Sequence, residues 1–249
     1  MTNAQGEPSL QLDPPASKAA RPIRDAAVIG GVGLLLMSVL AGLGNLVVLE
    51  GLVTEGDAAR TAADITASAG MFRLGVACML LVVVLDVVVA WALLQVFSPV
   101  DRSLSQLAAW FRLAYAAVFL AAIGQLAVVP GLLQPDGHPS ALGDDQLEAQ
   151  ALLKIETFDS IWSAGLLLFG VHLLLIGYLA YRSVQVPTLV GVLVAVAGAG
   201  YVFDSLVAVL HQGSAISISS ATFIGEFLLA LWLVARGRRL STWEDRHAI

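Results

Sequence analysis

The chain has 249 residues, 58% of them apolar and 13% charged, with a formal net charge of −6. An ordinary soluble domain carries about 25% charged residues, so this composition excludes one and places most of the chain in lipid. A single cysteine, Cys78, excludes any intramolecular disulfide.

The first 25 residues are polar, proline-bearing and basic at Lys18, Arg21 and Arg24, which reads as a disordered cytoplasmic tail. The apolar run that follows, 26 to 49, is too long for a signal peptide and is expected to stay in the mature protein as a first membrane span. After it, "EGDAARTAADITASAG" predicts a short Ala-rich helix outside the membrane with Asp57 as its N-cap. Spans at 71 to 97 and 104 to 129 come next, joined by "SPVDRS", a turn short enough to force an antiparallel hairpin.

The segment "DDQLEAQALLKIETFDS" predicts a second short extramembrane helix, with Asp145 and Glu148 spaced as a capping box. It is expected to lie on the membrane surface or bend into the next span, because one straight helix from Asp145 to Arg182 exceeds the bilayer. Spans at 158 to 182 and 188 to 210 follow, joined by the tight "SVQVPT". The last is at 217 to 236, and residues 238 to 249 form a basic tail. The fold class is therefore all-α: a polytopic membrane bundle over 26 to 237 with six transmembrane helices and two short extracytoplasmic ones. Lys18, Arg21, Arg24, Arg102, Arg182, Arg236, Arg238, Arg239 and Arg246 lie on one side and only Arg60, Arg73 and Lys154 on the other. By the positive-inside rule both termini are cytoplasmic.

Several ordered landmarks carry a family resemblance: "FRLG" at 72 to 75, Asp86, "FSPVDRSLSQLAAWFRL", "LLLFGVHLLLIGYLAYRS", "GAGYVFDS" and "GEFLLALWLVARG". In order and spacing the chain resembles the bacterial membrane family known as domain of unknown function 4386. That resemblance implies a multi-pass protein of the bacterial inner membrane and brings no assigned chemistry.

The informative residues are the polar ones inside the spans. An ionised Asp at mid-membrane costs about 2.5 to 3.5 kcal/mol on insertion scales, so Asp86 needs a partner. Folding the "SPVDRS" turn at its midpoint brings position 113 level with Asp86, which makes Arg112 the expected partner. His172 and Glu226 lie about ten residues from the same membrane face and join them in one candidate layer for a ligand or proton. Nearer the outer face, Arg73, Asp159, Tyr201 and Asp204 form a second polar group. On the sixth span Ser219, Thr222, Glu226 and Ala230 share a stripe, as do Gly200, Tyr201, Asp204, Ala208 and His211 on the fifth. Asn45 and Gln125 read as interhelical hydrogen-bond formers.

Three functions compete. A binding or assembly protein, taking a small ligand or membrane lipid, uses the layer without chemistry. A proton- or cation-coupled transporter uses Glu226, Asp204 and Asp86, though six spans without a visible inverted repeat leave alternating access to an oligomer. An intramembrane hydrolase has Ser163, Ser205 and His172 to draw on, but no HExxH pair or nucleophile motif marks one, and no metal or other cofactor is expected. The basic residues sit at helix ends, so no nucleic-acid partner is expected.

Overall fold

A computed structural model describes residues 17–134, 143–210 and 224–239. Among them are seven α-helices: α1 (Ser17–Asn45), α2 (Ala58–Ala67), α3 (Ala69–Phe97), α4 (Arg102–Leu132), α5 (Asp144–Arg182), α6 (Thr188–Leu210) and α7 (Ile224–Arg236). Five of them, α1 and α3 to α6, are long and apolar enough to cross a membrane. The fold is a polytopic helical bundle. Of the expected sixth span, residues 217 to 223 lie outside the described residues and the remainder is α7.

Helix starts follow local chemistry. Asp57 caps α2 by accepting from the Arg60 amide at 2.9 Å, and Asp101 caps α4 by accepting from the Leu104 amide at 3.0 Å. Residues 17 to 25, assigned to the tail on composition, are already helical in α1, while the expectation for 1 to 16 lies outside the described residues. At its other end α1 passes into one π-helical turn, Leu46–Glu50, bridged by Asn45 Nδ2 donating to Glu50 Oε1 at 3.1 Å. That bond stays within the α1 run, so Asn45 is not the interhelical link expected of it; the added residue of the π turn brings positions 45 and 50 together. Gln125 does join two helices, accepting from Lys154 Nζ at 3.0 Å.

The segment from Asp144 departs from expectation. It is not a separate helix but the first third of α5, which runs unbroken to Arg182 with Gly143 as N-cap in place of Asp145. No proline interrupts it, so the helix simply continues. At 1.5 Å per residue α5 is about 58 Å long, against a hydrocarbon core of about 30 Å. An arm of about 28 Å of helix therefore lies outside the hydrocarbon core, and α2 packs against α5, with Thr61, Ala62 and Ile65 of α2 and Ala151, Ile155 and Phe158 of α5 buried.

Six helices close a ring: α1 packs on α3, α3 on α4, α4 on α5, α5 on α6, α6 on α7 and α7 back on α1. The tight turns α3–α4 and α5–α6 mark one end of this ring, the turn end; the α5 arm and α2 mark the other, the arm end. Successive helices alternate in direction. The outer surface is apolar, with Val32, Val39, Leu74, Val84 and Leu189 exposed, as a lipid-facing surface requires. Trp91, Trp110, Tyr178 and Tyr181 are exposed toward the turn end, where an aromatic belt anchors a bundle at the membrane–water interface. The backbones of α5 and α6 approach closely. A Cβ on Gly170 would stand 2.8 Å from the Gly198 carbonyl oxygen, and one on Gly177 would stand 2.6 Å from the Ala195 amide. Only glycine fits there.

Candidate functional site

Asp86, Arg112 and His172 meet inside the ring, all essentially inaccessible to solvent. Arg112 Nη2 lies 2.8 Å from Asp86 Oδ1, joining α4 to α3. Arg112 Nη1 faces His172 Nε2 at 3.1 Å, and His172 Nδ1 faces the Ala108 carbonyl oxygen at 2.8 Å. A guanidinium can only donate, so Nε2 accepts and the ring proton sits on Nδ1, where it is donated to Ala108. That hydrogen-bond pattern makes His172 a neutral ring. Arg112 Nη2 also points at Met37 Sδ at 3.6 Å, and Phe169 covers the guanidinium with its ring centroid 5.4 Å from Cζ.

These contacts bind α1, α3, α4 and α5 into a floor across the ring. Arg112, His172 and Glu226 each stand ten residues from the basic residue at the turn end of their own helix, Arg102, Arg182 and Arg236. That is about 15 Å of rise, so the polar groups share one depth. The floor is incompletely satisfied: neither Asp86 oxygen receives an aligned hydrogen bond, and Arg112 Nε has no acceptor. The 2.8 Å ion pair is therefore a charge contact without good donor geometry, and both groups retain unused capacity.

A cavity of about 600 Å³ rises from this floor toward the arm end. On α1 its wall runs from Leu34 through Met37, Ser38, Ala41 and Gly42 to Asn45. On the opposite side are Tyr115 of α4 and Trp162, Leu166 and Phe169 of α5. Val82 and Asp86 of α3, Tyr201 of α6 and Glu226 of α7 complete it, so every helix of the ring contributes. Aromatic rings stiffen the wall: Trp162 Nε1 donates to the Tyr115 hydroxyl at 3.1 Å, Tyr115 lies 4.7 Å from Phe169, and Tyr201 meets Phe169 edge-on at 5.4 Å. Below the floor, toward the turn end, there is dense apolar packing of Val89, Leu93, Leu173, Ile176, Leu229 and Leu233.

Of the second expected group, Tyr201 belongs to the cavity wall, and Asp204 stands half-buried one turn further along α6. Arg73 and Asp159 are not brought together. Arg73 is exposed on α3 and forms no ion pair with Asp159, whose carboxylate instead feels the charge of Glu55 in the α1–α2 connection. Ser219, Thr222 and His211 lie outside the described residues. Ser205 Oγ donates to the Ser163 carbonyl at 2.9 Å, and both His172 nitrogens are engaged, so these residues do not assemble a nucleophile and base. Among the described residues no three His, Cys, Asp or Glu side chains converge on a metal position. Residue-by-residue reading of the sequence missed the Ala108 carbonyl, Met37 and Phe169. Phe169 and His172 lie three apart on α5, the one signal that an aromatic shares the histidine's face.

The family model for domain of unknown function 4386 matches residues 29–237, from within α1 past the end of α7 and including the floor. The chain belongs to that family. An uncharacterized protein of Archaeoglobus fulgidus is 35% identical over 161 residues, covering 65% of this chain and 82% of the relative. No solved structure matches. Family membership thus agrees with a multi-pass membrane protein, and what the cavity does must be argued from its own geometry.

Proposed function

We propose that this family member is a non-catalytic membrane binding protein that holds a small amphipathic ligand or lipid-derived molecule in the ring cavity. The observation that carries this reading is the cavity itself. Its volume of about 600 Å³ falls within the 300 to 1,000 Å³ typical of small-molecule sites, and its wall is mostly apolar with a few polar groups gathered at one end. An apolar body beside a polar head matches that division. Two features favour binding over chemistry or passage. His172, the floor residue that resembles a catalytic base, has both ring nitrogens engaged, and the apolar packing beneath gives the cavity no continuation toward the turn end among the described residues. In a plasma membrane, the distribution of Arg and Lys supports an orientation with the turn end cytoplasmic, so that the cavity faces the outer leaflet.

Gly42 supplies the test. It lines the cavity, and a Cβ placed there meets nothing within 4 Å. Gly42→Phe should fill the space without disturbing the fold. Native mass spectrometry of protein released from mild detergent should show a bound small molecule on the wild type and bare protein for the variant. Equal loading of the two, or bare protein in both after extraction and re-exposure to host lipid extract, sinks the reading.

A further inference from the structure

The charges around the cavity are unbalanced, and the imbalance identifies a ligand class. Asp86 and Arg112 offset each other, and His172 accepts from Arg112 and so is a neutral ring. Glu226 remains: half-buried, lining the cavity, in the electrostatic range of both Arg112 and Asp86, and without an ion pair to any described residue. The site therefore carries one carboxylate more than it has cations. Arg112 is the only cation among the described residues of the wall, and it is poorly placed to receive an anion. Its two terminal nitrogens point at His172, Asp86 and Met37 and Phe169 lies over it, which leaves Nε alone without an acceptor.

Asp86 gives the second, independent sign. It is completely buried, forms part of the cavity lining, and accepts no aligned hydrogen bond through either oxygen. A buried carboxylate in that state costs free energy until a donor reaches it. The walls above are aromatic, and the negative faces of Tyr115, Phe169 and Tyr201 attract a cation where water is excluded. A bare metal ion fits badly, since no ligating trio converges here among the described residues, and it would leave the apolar walls unfilled.

We propose that the cavity takes an organic cation, an ammonium group on an apolar body, with the ammonium donating to Glu226 and the free edge of Asp86 and the body lying against α1 and the aromatic wall. This rests on the cavity being a ligand site and specifies the ligand's charge and polarity.

The test uses the full chain in lipid nanodiscs and three probes of equal chain length: decylammonium, decanol and decanoate. Calorimetric titration, corrected for empty nanodiscs, is run on wild type and Glu226→Gln. Decylammonium should bind wild type at least tenfold more tightly than either other probe. Glu226→Gln should remove that preference while keeping the helical circular dichroism of the wild type, which shows the variant is folded. Decanol or decanoate binding wild type as well as decylammonium overturns the cationic ligand and leaves the binding site standing. An ammonium preference that survives in Glu226→Gln overturns the assignment of the carboxylate. Absence of saturable binding for all three overturns the cation and the binding site together. The wild-type comparison decides the charge even if the variant fails to fold.

Discussion

The two halves of the ring use the same six helices and solve different problems. Toward the turn end, Val89, Leu93, Leu173, Ile176, Leu229 and Leu233 fill the axis, and the ring is solid. Toward the arm end, α1 faces inward with Ser38, Ala41, Gly42 and Asn45, side chains too small to reach across, and the ring is hollow. Between them lies a polar floor. In lipid the hydrophobic effect does not distinguish core from surround, so close packing and hydrogen bonding must supply the stability. The solid half and the floor carry that burden, which leaves the hollow half free to present a cavity.

Substitutions can break this contrast. The largest effect is expected at the floor. Arg112→Gln leaves Asp86 as a buried charge without its cation and should cost about 3 to 5 kcal/mol, the penalty for opening a buried pair from one side. Unfolding from detergent micelles with added SDS measures it. Combining it with Asp86→Asn should recover part of the loss, giving a coupling of about 1 to 3 kcal/mol; strictly additive costs would mean the 2.8 Å contact holds no energy.

Next comes the solid half. Leu229→Ala, at a residue 2% exposed, opens a void under the floor and should cost about 2 to 4 kcal/mol in the same assay. Leu166→Ala, in the half-buried cavity wall, should cost less than about 1 kcal/mol, since the space it faces is already open. Equal losses at these two leucines would erase the distinction between the halves.

The glycines offer a smaller, opposite-signed pair. Gly198→Ala places a Cβ 2.7 Å from the Gly170 carbonyl oxygen across the α5–α6 contact and should cost about 1 to 3 kcal/mol. Gly42→Ala meets open space and should gain about 0.5 to 1 kcal/mol from helix propensity. Circular dichroism melts in one detergent compare both variants directly. A destabilised Gly42→Ala would mean that α1 needs the flexibility of glycine at the cavity.

Much of the floor was legible in the sequence because depth along a membrane helix is simple counting from a charged end. Asp86, Arg112, His172 and Glu226 each announce themselves as ionisable residues in an apolar run, and the "SPVDRS" hairpin fixes the first two opposite each other. What counting does not give is rotation about the helix axis, so the engagement of His172 by Arg112 and the Ala108 carbonyl needed the packed structure. The outer polar group has the same weakness: counting puts Arg73 and Asp159 toward the arm end, but the two form no ion pair, and α5 packs against α2 as well as its ring neighbours. The length argument at Asp144 went astray by treating bilayer thickness as a limit on the helix, when a helix supported by another outside the membrane is free to continue. The cavity was least legible, because a void leaves its trace only in small residues such as Gly42, which equally serve close packing.

That long helix makes α5 a lever. One rigid rod of about 58 Å carries the arm at one end and His172, Phe169 and Trp162 further along, with no loop between them. Any tilt of the arm therefore carries with it the side chains that hold Arg112 and line the cavity. The fold ties the part of the protein outside the bilayer mechanically to its polar floor.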